Sequence, residues 1–402
     1  MKRIYEEVIA QHFASDRQMI FLAGPRQVGK TTISHWAKKI GKNFHYINWD
    51  NTDHQHLIIR GPKQVFDALG LSKMSAELTL VVFDEIHKYS RWKQFLKGFF
   101  DTYGHQLKII VTGSARLDTY KKVGDSLMGR YFLYRVHPLS VAELLTPALI
   151  ENELRKPKKI SPKNFSNLFE FGGFPEPFLK ADKRFNQRWL RLRYQQTFHE
   201  DIRNLSEIHE IAQLEMLASL LKAQTGQLVS YSEFARAISV SVPTIKRWIG
   251  CLSAFYYCFT IQPWYKNVSR SLVKQPKVYL WDWSDITDIG AKTENFVAMH
   301  LLKATQFWTD YGFGEFGLYF IRDKDKREVD FVVTKNKKVW FLVEVKHSQG
   351  AAISKSLAIF QEQTKAEHAF QVVFDMPHID KNCFDYNVPV IVPVQTLLSQ
   401  LI

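Results

Sequence analysis

The hydrophobic positions in the first third of the chain fall into short continuous runs separated by polar or helically periodic stretches. Met19-Ile20-Phe21-Leu22-Ala23 reads as a buried strand, and Thr32 to Lys39 follows with a helical pattern. Asn43 to Trp49 predicts a second strand. A polar turn, Asp50 to Asp53, and a helix over Pro62 to Leu69 come after it. Leu78 to Phe83 is apolar without alternation, the pattern of a strand buried on both faces in a parallel sheet. Leu107 to Val111 repeats that pattern, and an apolar run from Tyr131 to Tyr134 closes the region.

The pattern changes after about residue 150. Glu151 to Ser166 is polar and reads as a linker, Phe171 to Pro177 as a sharp turn, and Lys183 to Arg203 as an arginine-rich helix. Val229 to Ile238 and Val242 to Leu252 predict two helices joined by Ser239-Val240-Ser241, with Ser241 as an N-cap. That is helix-turn-helix spacing, with Ala235, Ile238, Val240, Ile245 and Ile249 as its small core. Phe255 to Pro263 reads as the wing hairpin. Beyond it come a strand at Lys277 to Trp281, a helix at Thr293 to Leu302, and strands at Gly317 to Arg322, Glu328 to Val333 and Val339 to Lys346. A helix over Ile353 to His368 and a strand at Phe370 to Phe374 complete the series.

The first strand runs into Gly24-Pro25-Arg26-Gln27-Val28-Gly29-Lys30-Thr31, with Thr32 next, which fits G-x-x-x-x-G-K-[ST] between a strand and a helix. The glycines let backbone N–H groups close on a polyphosphate, and the helix adds its positive end. Lys30 supplies a point charge for the β/γ-phosphates, and Thr31 a hydroxyl ligand for Mg²⁺. Asp84 and Glu85 end the third predicted strand, where ligands bind in open α/β sheets. Asp84 is the expected Mg²⁺ holder and Glu85 the residue that orients and activates the attacking water. At the tip of the next strand, Thr112 and Ser114 are both candidates to touch the γ-phosphate or that water. Arg130 is a candidate for transition-state charge, and Arg116 a weaker one.

Composition narrows the class. At 402 residues the chain exceeds one ordinary core, so two or three domains are expected. The formal net charge of +14 favours a polyanionic partner. The exposed face of the second helix-turn-helix segment offers Thr244, Lys246 and Arg247 to a groove or to phosphates. Three cysteines without a C-x-x-C pair argue against a disulfide framework and fit a reducing cytoplasm. The longest apolar run is too short to span a bilayer.

Glu344 and Lys346 are two apart on a predicted strand and so share a face. Asp330 followed by Glu344-x-Lys346, with Glu294 on the preceding helix, resembles the PD-(D/E)XK nuclease pattern. Under that resemblance Asp330 and Glu344 hold Mg²⁺ or Mn²⁺ with Glu294 as a further ligand, and Lys346 positions or activates the water.

Across nearly the whole chain, GPRQVGKTT, VVFDEIHKYSRW, VTGSARL, MGRYFLYRVHPLSVAEL and FGGFPEPFL resemble the AAA-type P-loop ATPases with a C-terminal DUF4143 region. That family often carries Arg-Asp-Ile near the start of its second region, where this chain has Glu200-Asp201-Ile202. The expected fold class is α/β. A P-loop ATPase domain with a parallel sheet spans 1–150, and a linker and helical connector 151–204. A winged-helix domain spans 205–270, and a restriction-endonuclease-like α/β domain 271–402. The expected function is ATP binding and hydrolysis coupled to nucleic acid, DNA ahead of RNA, with metal-dependent cleavage by the last domain. The rival reading is an ATPase switch or interaction scaffold whose last domain only binds DNA or a protein. A cytoplasmic protein with no membrane partner is expected, with a homo-oligomer as an open option.

Overall fold

The computed structural model describes residues 1–41, 43–70, 79–113, 127–203, 208–265, 275–348, 350 and 352–402. The chain divides into two compact units, Met1–His137 and Pro138–Ile402, where the sequence pattern led to four segments.

The first unit is built on five parallel strands: β1 (Met19–Ala23), β2 (Phe44–Asn48), β3 (Thr79–Asp84), β4 (Leu107–Gly113) and β5 (Tyr131–Arg135). Their order across the sheet is β2-β3-β4-β1-β5. Every residue of β1 and β3 is buried, the outcome expected of apolar runs without alternation. The face carrying Phe21, Phe83 and Val111 packs against Phe95, Leu96 and Phe99 of the helix Trp92–Tyr103. The helix Thr52–Arg60 was not anticipated from the polar residues at 50–53. They start it, with the Asn51 side chain capping the amides of Asp53 and His54.

The second unit centres on a mixed seven-stranded sheet of β6 (Cys258–Pro263), β7 (Lys277–Leu280), β8 (Phe316–Arg322), β9 (Glu328–Lys335), β10 (Lys338–Lys346), β11 (His368–Val373) and β12 (Val390–Pro393). Their order is β12-β11-β10-β9-β8-β6-β7. A 23-residue helix, Ile289–Tyr311, lies against it, and its buried residues run almost without interruption from Asn295 to Thr305. Phe255 to Pro263 is not itself a hairpin. Only Cys258–Pro263 is a strand, and it pairs with β7 on one side and with β8 on the other. A segment read as local is thus a member of the large sheet.

The three helices directly before β6 are Ile211–Ala223, Tyr231–Ile238 and Val242–Ala254. In the last, Ile245, Trp248, Ile249 and Leu252 are buried, a spacing that places them on one face. Ser239 takes a left-handed backbone to end the middle helix, and Ser241 Oγ accepts from the Thr244 amide to begin the next. An isolated bridge joins Leu228 to Lys277 of β7.

Candidate nucleotide site and carboxylate centre

In the first unit the loop between β1 and the helix Lys30–Trp36 is shaped by backbone geometry that side chains resist. Gly29 has φ 101° at the helix start and Gln27 has φ 61°. A Cβ on Gly24 would run into the Val136 carbonyl, so only glycine lets the loop leave the sheet there. Val28 is buried, and its carbonyl accepts from Arg3 Nη1 at 2.7 Å. Arg3 also bonds the His137 carbonyl at 2.7 Å through Nη2. The sequence reading overlooked this buried arginine, since nothing local marks a residue at the chain start as a support for a loop 25 positions away.

Lys30 is buried, and its Nζ donates to the carbonyls of Gly24 at 2.8 Å and Pro25 at 2.7 Å. Its ammonium therefore sits inside the loop. Arg26 is half-buried, and Thr31 and Thr32 open the following helix from exposed positions. Parallel pairing sets Asn48 beside Asp84 and Asp84 beside Thr112, so three strand tips share one level. Asp84 is held from three directions. Thr31 Oγ1 lies 3.3 Å from its Oδ2, the Tyr46 hydroxyl donates to the same oxygen, and the Thr112 hydroxyl donates to Oδ1. Burial, and then the hydrogen bond to Asp84, hold the Tyr46 phenol above its ordinary range. Of the two strand-tip hydroxyls left open by the sequence, Thr112 reaches the acid; Ser114 lies outside the described residues, as does Arg116. Tyr46 was missed. Its only signal is its place on the strand beside β3, two residues from the end.

Glu85 follows directly, with φ 55°. Its Oε2 is buried and accepts no hydrogen bond among the described residues, with Lys88 Nζ 3.5 Å away. Burial raises its pKa, and Lys30 and Lys88 oppose the rise. A carboxylate raised in this way is a better proton acceptor. The residues fit the cation that a nucleotide brings: the Thr31 hydroxyl and the Asp84 carboxylate are adjacent hard oxygen donors beside a phosphate-type loop.

Arg130 requires a correction. Its carbonyl accepts from the Met19 amide, and Met19 pairs with Tyr131 while Ala23 pairs with Arg135. Arg130 therefore sits at the end of the sheet opposite the loop, about 15 Å away along the strand at 3.3 Å per residue. Its guanidinium is bound to Asp101 at 2.6 and 2.9 Å. It is not part of this chain's own nucleotide site.

Residues 16–145 match the family model described as an AAA domain. The chain carries an AAA domain. Residues 289–392 match a domain of unknown function, DUF4143, and residues 162–284 match another, DUF8612. The AAA domain thus precedes a DUF4143 domain, in the order the motifs implied. An uncharacterized protein of Mycobacterium tuberculosis is 23% identical over 347 residues, 84% of this chain and 72% of its own length. One from Methanocaldococcus jannaschii is 24% identical over 326 residues, 77% and 70% of the two chains. Among solved structures, Aeropyrum pernix ORC1 in complex with DNA overlaps with a TM-score of 0.32 at 13% identity, covering 73% of this chain and 90% of that one. No described helix is long and apolar enough to cross a membrane.

The second unit brings the expected carboxylates together, but around a lysine. Lys277 Nζ lies 2.6 Å from Glu328 Oε1, 3.2 Å from Glu294 Oε1 and 3.6 Å from Asp330 Oδ1. Tyr279 donates to Glu294 Oε1 at 2.7 Å, and the Val345 amide to Asp330 Oδ2 at 2.8 Å. Lys346 Nζ bonds Glu344 Oε1 at 2.8 Å, while Glu344 Oε2 is buried and accepts no hydrogen bond among the described residues. Burial, then the charge of Asp330, push both Glu294 and Glu344 up to about 7. Burial works against the Lys277 charge, but Glu294, Asp330 and Glu328 outweigh it and hold its pKa above the ordinary range. Among the described residues no group of three or more His, Cys, Asp or Glu side chains is arranged to hold a metal ion. The expected metal set is Glu294, Asp330 and Glu344. Its members converge, with Lys277 as the cation between Glu294 and Asp330. Lys277, Tyr279 and Glu328 were read only as strand residues, without a role in the site.

Lys246 and Arg247 are exposed on the helix Val242–Ala254, and Thr244 is half-buried in its first turn. Lys246 Nζ lies 5.2 Å from the centre of the Tyr231 ring.

Proposed function

We propose that this protein binds and hydrolyses ATP in its AAA domain and associates with DNA through its second unit. The observation that carries the first part is the approach of Thr31 to Asp84 across 3.3 Å, beside a buried lysine seated in a glycine loop. In this reading the loop from Gly24 to Thr32 cradles the polyphosphate, and Lys30 counters the β/γ charge. Thr31 and Asp84 hold the Mg²⁺, which neutralises charge on the phosphates. Tyr46 and Thr112 keep the Asp84 carboxylate turned toward Thr31. Glu85 takes a proton from the attacking water. ATP turnover by the purified chain, compared with Glu85→Gln, tests this part.

DNA association rests on a winged-helix reading of Ile211 to Leu280. Three helices, the bridge at Leu228 and the β6–β7 pair follow in the order that fold uses. The basic excess of the chain and the exposed Lys246 and Arg247 support it. Salt-dependent binding of the full chain to duplex DNA is the measurement. Mg²⁺- or Mn²⁺-dependent cleavage by Glu294, Asp330, Glu344 and Lys346 is not part of the proposal, because Lys277 already supplies positive charge to two of those carboxylates. The rival reading, an ATP-driven switch whose last domain does not cut, is the one favoured.

A further inference from the structure

We infer that Lys277 is the resident cation of the carboxylate centre in the second unit, filling with its ammonium the role a divalent metal would have there. The inference is independent of the ATP and DNA readings.

A lysine that is 3% exposed is costly unless its charge is matched. Lys277 is matched by carboxylates on two different elements. Glu294 comes from the helix Ile289–Tyr311, and Glu328 and Asp330 come from β9. Glu328 and Asp330 are two apart and project from the same face of that strand. Tyr279 lies two residues along β7 on the same side, and its hydroxyl meets the same Glu294 oxygen that Lys277 meets. The edge strand therefore presents a cation and a donor together to the acids of the helix and of β9.

Most of the carboxylate oxygens have partners, Glu344 Oε2 being the buried exception. Glu294 Oε1 takes both β7 donors, and Asp330 divides its oxygens between Lys277 and the Val345 amide. Glu328 is shared between Lys277 and Arg322, the latter at 3.1 Å. Glu344 Oε1 takes Lys346. A hard divalent ion requires six or so oxygens in its shell. Here, even with Glu344 Oε2 open, it would have to displace Lys277 from Glu294 and Asp330 or sit beside an ammonium that repels it. The chemistry assigned to the centre is therefore a network of ion pairs without a metal. It holds four carboxylates, Glu294, Glu328, Asp330 and Glu344, against two lysines and one arginine.

The test titrates Mn²⁺ into the nucleotide-free full-length chain, followed by calorimetry and by loss of the free-ion paramagnetic resonance signal. Wild type and Asp330→Asn are expected to give superimposable isotherms. Lys277→Met should bind one further Mn²⁺, about tenfold or more tighter than anything wild type shows at this centre, since the repelling charge is gone. Adding Asp330→Asn to Lys277→Met should remove the gain. A wild-type site that Asp330→Asn abolishes would overturn the inference, and so would a folded Lys277→Met chain with no gain. Should Lys277→Met fail to fold by circular dichroism, Lys277→Gln takes its place. The wild-type and Asp330→Asn isotherms decide the matter in either case.

Discussion

The hydroxyl of Tyr46 donates to the same Asp84 oxygen that faces Thr31, so a residue on the sheet's edge strand orients the acid that stands opposite the phosphate loop. The Tyr46 ring also stacks on His35 of the helix that follows the loop, with centroids 4.5 Å apart. Tyr46→Phe keeps the stacking and removes the donor. We expect stability to fall by about 1 kcal/mol, read as a lower urea midpoint. We also expect the Mg²⁺ concentration needed for half-maximal ATP turnover to rise about tenfold, the usual effect of losing a hydrogen bond that orients a metal-binding carboxylate. Unchanged Mg²⁺ dependence in Tyr46→Phe would remove Tyr46 from the site.

Lys30 and Glu85 separate binding from turnover. Lys30→Ala should lose most ATP affinity, because the polyphosphate loses the cation held inside its loop. Glu85→Gln should bind ATP as tightly as wild type and turn it over at least about 100-fold more slowly. Fluorescent nucleotide titration and a phosphate-release assay distinguish the two; equal release rates in wild type and Glu85→Gln would reject Glu85 as the group that activates water.

For the second unit, Lys246→Ala with Arg247→Ala should weaken DNA binding and flatten its dependence on salt. Each lost phosphate contact lowers the slope of log K against log salt by about 1. Fluorescence anisotropy across a salt series measures it. A double variant that binds like wild type at every salt concentration places the DNA surface elsewhere.

Glu344 sets a pH dependence of stability. Its folded pKa, pushed up to about 7 chiefly by burial, lies above the ordinary value of 4.5. Between those two values the folded chain holds a proton that the unfolded chain has released, so stability contributed by this group is lost as pH rises through 7. Glu344→Gln cannot ionise, and its Tm should fall less than that of wild type between pH 5 and about 8. Parallel Tm curves for the two proteins would contradict the assignment.

Much of the first unit was legible along the chain. Continuous apolar runs marked the strands because a parallel sheet covered on both faces leaves no polar positions to alternate. The loop from Gly24 to Thr31 was legible because its function needs glycine backbone and a lysine at fixed spacing within eight residues. The helix-turn-helix spacing was equally local, and the helices at Tyr231–Ile238 and Val242–Ala254 lie within two residues of where the pattern put them. Asp84 and Glu85 could be singled out from the end of a strand, but the hydroxyls that grip Asp84 could not.

By itself, then, the sequence determined the strands of the first unit, the two helix-turn-helix segments, the phosphate-type loop and the carboxylates at the end of β3. These depend on periodicity and backbone conformation over a few residues. Tertiary structure decided the rest. Register along β1 and β5 carried Arg130 to the far end of the sheet, where Asp101 binds it. Pairing of β6 with both β7 and β8 drew a presumed wing into a seven-stranded sheet and brought Lys277 to Glu294 and Asp330. A side chain's periodicity tells which face it points from, but the charge it meets there is set by strands and helices that folding brings alongside, at separations no local pattern encodes.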